Sequence, residues 1–175
     1  MTKNPLIVYY SFYGNTEVVA KEIQKQTGAD LIRIEEVKPR KKGAMIGPAF
    51  AALMGCKSAI KPLDFSMADH DTLFLGLQVW ARRTTPAINR FISKATFQGK
   101  KVYLFITNAE QIKPENIIAS VTRRITKKGG TVVDVFAHRS PWLPNNDRVI
   151  PADEIIKPVS TWLAQAGLID DAQST

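Results

Sequence analysis

The chain has 175 residues, 45% of them hydrophobic and 23% charged, with 24 Lys and Arg against 16 Asp and Glu for a net charge of +8. That length suits a single domain spanning 1–175 with a sizeable core, and the composition excludes wholesale disorder. One cysteine, Cys56, excludes an intrachain disulfide and any multi-cysteine metal site. The longest uncharged run, residues 43–56, contains Pro48 and falls short of the roughly 18 apolar residues a membrane span needs. Leu6–Tyr10 is likewise too short for a signal-peptide core. The expectation is a soluble, cytoplasmic protein. Its positive charge favours acidic partners, against the plainer reading of a solubility charge spread over the surface.

Leu6–Tyr10 is a continuous apolar, β-branched and aromatic run, as in a strand buried on both faces. A turn-rich segment, residues 11–16, follows. Val18, Val19, Ala20 and Ile23 then recur at helical spacing, with Gly28 as a stop. Residues 31–35 predict a second strand, which completes a βαβ unit. Residues 72–77 predict a third strand. Thr85 predicts a helix cap with Pro86 in the first position. Residues 101–107 predict a fourth strand, and Pro114 opens a helix that ends at Gly129-Gly130. Residues 131–137 predict a fifth strand. A last helix covers about 153–166, with Pro158 kinking it or marking its true start. Strands alternating with helices imply one parallel sheet covered on both faces. The rhythm breaks only at 36–70, a long excursion with a basic cluster (Lys38, Arg40, Lys41, Lys42) and a short helix expected around 48–54.

The turn after the first strand is where chemistry concentrates. A strand-to-helix turn points several backbone N–H groups at one spot, an anion site that needs no charged side chain. Ser11 and Thr16 add hydroxyls, Asn15 an amide, and Gly14 a tight bend. The loop lacks the Gly-x-Gly-x-x-Gly of dinucleotide sites and the Gly-Lys-Ser/Thr of nucleotide triphosphatases. A terminal phosphomonoester fits such a loop; the structural alternative is that Asn15 and Thr16 only cap the helix.

Three segments carry a resemblance. Tyr-Tyr-Ser-Phe-Tyr-Gly-Asn-Thr (9–16) resembles the phosphate loop of flavodoxins. Leu-Gly-Leu-Gln-Val-Trp-Ala-Arg-Arg-Thr-Thr-Pro-Ala-Ile (75–88) resembles their Gly-x-Pro-Val-Trp-Ala-Gly-x-x-x-Pro-x-Ile segment. Gly-Lys-Lys-Val (99–102), leading to Thr107, resembles their Gly-Lys-Lys-Val strand. The order and spacing match over nearly the whole chain. The resemblance implies a flavodoxin-like doubly wound α/β sandwich, a five-stranded parallel sheet of order 2-1-3-4-5, and flavin mononucleotide (FMN) at the carboxyl ends of the strands. Carried over by position, Ser11, Phe12, Tyr13, Gly14, Asn15 and Thr16 would cradle the phosphate. Gln78, Val79, Trp80, Ala81 and Arg82 would flank one side of the isoalloxazine ring, and Thr107, Asn108 and Ala109 the other. The chain departs from the pattern at Tyr13, Gln78 and Arg82, and its third loop (107–111) has neither Gly-Gly nor Tyr.

Trp80 is expected either to stack on a planar ligand or to fold onto its own sheet; Arg82 and Arg83 are rim residues or a cation beside the ring. Trp142 anchors its loop or borders the flavin. Glu35-Glu36, Asp153-Glu154 and Asp170-Asp171 read as solvated or capping pairs. His70, His138 and Cys56 read as bystanders. No catalytic triad or metal-ligand spacing is visible. Three functions compete: an electron carrier with an acidic redox partner, an NAD(P)H-dependent quinone-type flavin reductase, and a flavin-free basic binding module. Nucleic acid is disfavoured because no recognition motif appears.

Overall fold

A computed structural model describes residues 3–40, 54–63, 66–110, 113–141 and 149–170. In chain order these form β1 (Leu6–Tyr9), α1 (Asn15–Thr27), β2 (Asp30–Arg33), β3 (Thr72–Trp80), β4 (Arg83–Thr84), α2 (Pro86–Lys94), β5 (Lys101–Asn108), α3 (Glu115–Thr126), β6 (Thr131–Arg139) and α4 (Ala152–Gln165). The parallel order is β2-β1-β3-β5-β6, so the five expected strands pair in the expected sequence. The sequence did not foresee β4, a two-residue strand antiparallel to the end of β3. β3, β5 and β6 each run past the expected ends, by up to three residues, whereas β2 begins and ends early.

The strands read as unbroken apolar runs because both faces are covered. One side chain set, including Leu75, Leu104 and Ile106, packs under Ile88 and Phe91 of α2 and Val121 of α3. The other, including Ile7, Phe74 and Phe105, packs under Ile23 of α1 and Val159 and Leu163 of α4. Gly76 sits between them in β3, where an added Cβ would lie 2.6 Å from Tyr9 Cβ and press into the Phe105 ring. Only glycine lets the three central strands close there.

Local stop signals act as their chemistry predicts. Gly28 ends α1 at φ 67°, its N–H bonded to the Gln24 carbonyl. Pro86 holds the first position of α2, but Thr85 caps it by place alone, with no side-chain bond. Pro158 neither starts nor ends α4; it lies inside the helix, which begins at Ala152 behind Pro151. The base of the excursion is closed: Val37 N–H donates to Ala59 O, Lys61 N–H to Glu35 O, and Glu36 bridges Ile60 antiparallel. The short helix expected at 48–54 lies, apart from Met54, outside the described residues, as do Lys41, Lys42, Gln111, Trp142 and Asp171.

Charge divides by face. Helices α2 and α3, with the turn after α3, carry Arg90, Lys94, Arg123, Arg124, Lys127 and Lys128 against Glu115, net +5. Helices α1 and α4 carry Lys21, Lys25 and Lys157 against Glu17, Glu22, Asp153 and Glu154, net −1. In the excursion, Arg40 is bound to Glu36 and Lys61 to Glu35. Part of the predicted basic cluster is therefore neutralised where it stands.

Candidate functional site

The carboxyl ends of β1, β3 and β5 converge where β1 leads outward to β2 on one side and lies against β3 on the other. This is the switch point at which doubly wound sheets bind ligands. In the first loop Gly14 adopts φ 104° and turns the chain into α1. A Cβ there would fall 2.9 Å from Val149 Cγ1, so the position is closed to other residues on two counts. Gly14 N–H donates to buried Ser11 Oγ at 3.1 Å. The first bond of α1 is Val18 N–H to Gly14 O, which leaves the N–H groups of Asn15, Thr16 and Glu17 without an acceptor inside the helix.

The side chains of this loop have partners within the protein. Asn15 Oδ1 accepts from Ile150 N–H at 2.8 Å, and the Thr16 and Thr107 hydroxyls bond at 2.8 Å, both fully buried. Neither side chain caps α1, so the capping alternative fails. Both instead tie the loop to its neighbours. Arg33 donates through Nη2 to Ser11 O and through Nη1 to Glu17 Oε2, placing one cation beside the turn.

The second segment is different. Gln78, Val79 and Trp80 continue β3, and Ala81-Arg82 form the tight turn into β4 with φ 45° and 58°. Such a two-residue hairpin favours Asn-Gly because both central residues have positive φ. Ala and Arg held there store strain, about 1–3 kcal/mol each for such conformations. Gln78 Oε1 accepts from Phe12 N–H at 2.8 Å, joining the second loop to the first. Trp80 is half-buried and packs edge-on to Phe12 (5.4 Å) and Tyr10 (6.1 Å). Arg40 lies 5.6 Å from the indole centroid. Its Nε donates to both Glu36 oxygens at 3.2 and 3.0 Å, and Tyr10 OH donates to Glu36 Oε2 at 3.0 Å. Burial, with the Glu36 charge, pushes the Tyr10 phenol far above its ordinary range, so it stays a donor.

Glu36 is thus a buried organiser and not half of a solvated pair. No motif signals this Tyr10–Glu36–Arg40–Trp80 ring in the sequence; its members come from three separate segments. Of the remaining residues read as bystanders or pairs, Cys56 is exposed, His70 Nδ1 lies 2.8 Å from Asn4 O, and the Asp153-Glu154 pair lies in the first turn of α4.

At the third segment Thr107 and Asn108 are buried and Ala109 is half-buried. A cavity of ≈ 210 Å³ runs between Val79 and Arg82 on one side and Asn108, Glu110 and Ile117 on the other. All three predicted segments therefore meet, through Thr16–Thr107, Phe12–Gln78 and this shared cavity. Among the described residues no group of His, Cys, Asp or Glu is placed to hold a metal ion, and no helix is long and apolar enough to cross a membrane.

No family model and no curated protein matches the sequence. Solved structures do match the fold. A Bacteroides uniformis protein, provisionally assigned as a flavoprotein, superposes with a TM-score of 0.75 at 18% identity, covering 93% of this chain and 99% of its own. An oxidised flavodoxin from Bacillus cereus gives 0.55 at 13% identity, over 93% and 95%. The fold is that of the flavodoxins. A Lactobacillus acidophilus flavoprotein solved in complex with FMN shares this flavodoxin-like fold with a TM-score of 0.58 at 20% identity, over 78% of this chain and 93% of its own.

Proposed function

We propose that this chain binds FMN and works as an electron-transfer protein. The observation that carries the reading is the first loop: a left-handed Gly14 that only glycine can occupy, followed by three helix N–H groups with no acceptor in α1, at the switch point of a flavodoxin-like sheet. The donor set fits a phosphate. The backbone N–H groups of Asn15, Thr16 and Glu17 at the end of the loop would hold it, since those of Phe12 and Gly14 are bonded to Gln78 and Ser11 and the Asn15 and Thr16 side chains serve to fix the loop. Gln78 to Arg82 and Thr107 to Ala109 would border the ring, with Trp80 braced by Arg40. FMN supplies one- and two-electron transfer when bound. The protein contributes a rigid cradle, exclusion of water by Phe12 and Trp80, and the exposed Arg82 cation at the rim.

The test is reconstitution. FMN should bind and colour the purified protein yellow, with riboflavin weaker by at least the value of one charge-assisted hydrogen bond, about 1.5–3 kcal/mol. Equal affinity for riboflavin would remove the phosphate cradle. Anaerobic mixing with NADH or NADPH then separates the two redox functions: a carrier stays oxidised until a reductase is added, whereas rapid stoichiometric bleaching identifies a nicotinamide-dependent enzyme.

A further inference from the structure

We propose that the open edge of β6 is a docking groove for an extended acidic segment of a partner protein, which adds to the sheet as a further strand. Among the described residues β6 ends the strand order, so one side of it faces no other strand of the sheet. Ser140 N–H donates to Asn108 O at 2.7 Å, and His138 is in register with Thr107. Hydrogen bonding alternates along a parallel ladder. Phe136 and His138 therefore spend their backbone groups on β5, and Val135, Ala137 and Arg139 turn theirs outward.

The first half of this edge is blunted in the ways natural edges are. Val133 is an extra residue at a register shift. Asp134 Oδ1 accepts from Val135 N–H at 2.7 Å, while Asp134 Oδ2 accepts from Trp162 Nε1 at 2.9 Å. Beyond that point the protection stops. Residues 136–139 contain no bulge and no proline, and the N–H groups of Ala137 and Arg139 face the open side.

A groove of ≈ 590 Å³ lies along this stretch. It is lined by every consecutive residue from Val135 to Arg139, so the β6 backbone itself forms part of its surface, on the side that α4 covers. Helix α4 forms one wall, and Asn108, Glu110 and Lys113 contribute to the other. Phe136 and His138 lie nearly parallel, 6.0 Å apart, and give an aromatic floor. Lys113, Arg139 and Lys157 border the groove and are exposed, with Glu110 in the lining and Glu154 close enough to act on His138; none of the three cations has a carboxylate within 4 Å among the described residues. A second copy of this chain would bring the same cations against themselves, which is unfavourable for directly opposed charges. A strand carrying Asp or Glu on alternate positions meets both demands: backbone pairing for Ala137 and Arg139, and carboxylates for the cations.

The probe is a fluorescein-labelled acetyl-Glu-Val-Glu-Val-Glu-Val-amide, followed by fluorescence anisotropy at low ionic strength. Wild-type protein should bind it. N-methylation of alternate peptide amides should weaken binding about ten-fold in one methylation register only, the loss expected for one or two backbone hydrogen bonds. Ala137→Pro removes an outward N–H without touching the β5–β6 ladder and should cause a similar loss at unchanged circular dichroism. The double variant R139E/K157E should switch preference to the corresponding Lys-Val peptide. Absence of wild-type binding at about 1 mM peptide overturns the proposal. So does binding indifferent to both methylation registers, which would indicate charge attraction alone. If Ala137→Pro fails to fold, the methylated peptides decide. No arm involves flavin, so failure here leaves the cofactor reading standing.

Discussion

The β1–α1 loop and the β3–β4 hairpin stand side by side at the same end of the sheet, and they are built on opposite principles. In the first, side chains point inward and are consumed in fixing the chain: Ser11 on Gly14, Asn15 on Ile150, Thr16 on Thr107. Under the proposed function, what would face the ligand there is backbone. In the second the backbone itself is strained, at Ala81 and Arg82, and what faces outward is side chain. The Ser11, Asn15 and Thr16 side chains are thus structural, whereas in the hairpin Arg82 stands exposed, and under the proposed function it is the side chain that would tune a ligand.

The largest effect should come from Gly14→Ala. Positive φ and the Val149 contact act together, so we expect a loss of about 2–3 kcal/mol in denaturant unfolding, together with loss of flavin uptake. Adding Val149→Ala relieves the contact but not the torsion, and should recover part of the loss. A silent Gly14→Ala would mean the loop is plastic. Next, Thr16→Val leaves the Thr107 hydroxyl buried without its partner and should cost about 1–3 kcal/mol. The double variant with Thr107→Val should then approach wild-type stability, because both polar partners are gone. If instead the double variant loses FMN affinity at full stability, Thr16 contacts ligand and the division between the loops fails. The smallest effect has the opposite sign. Arg82→Gly should stabilise the apoprotein by about 1 kcal/mol by removing strain. Calorimetry checks the sign, and an unchanged or lower Tm would show that the turn is not strained.

A pH series adds a check outside this pair of loops. Burial holds the His138 imidazole below its usual pKa, with Glu154 opposing. The unfolded chain then takes up the proton first, so this contribution is complete above the unfolded pKa near 6.5 and fades as pH falls through the lower folded value. His138→Gln should flatten the acid side of the stability profile.

Much of this was legible beforehand because the relevant signals are local. Gly28, Pro86 and Gly129 punctuate the helices, and β1, β3 and β5 read as apolar runs because both faces are covered. Strand order came from family resemblance, since periodicity carries no information about lateral neighbours. The cradle segment was visible, but its side-chain partners were not: Thr16 meets Thr107 across 91 positions, and Asn15 meets Ile150 across 135. Glu36 was misjudged because adjacency to Glu35 suggested solvent, whereas strand-like alternation near the Ile60 bridge sends one inward and the other out. The hairpin escaped notice because Ala-Arg is poor turn chemistry, and strain of that kind is set by tertiary context.

The uneven division of charge between the two helical layers has a physical corollary at interfaces. A body with net +5 on one helix pair and −1 on the other carries a permanent dipole across the plane of its sheet. On a negatively charged electrode or cation-exchange bead it should adsorb with α2 and α3 downward. The sheet would then lie flat, its strands parallel to the surface, with the candidate cofactor site at the strand ends turned neither into the solid nor straight away from it.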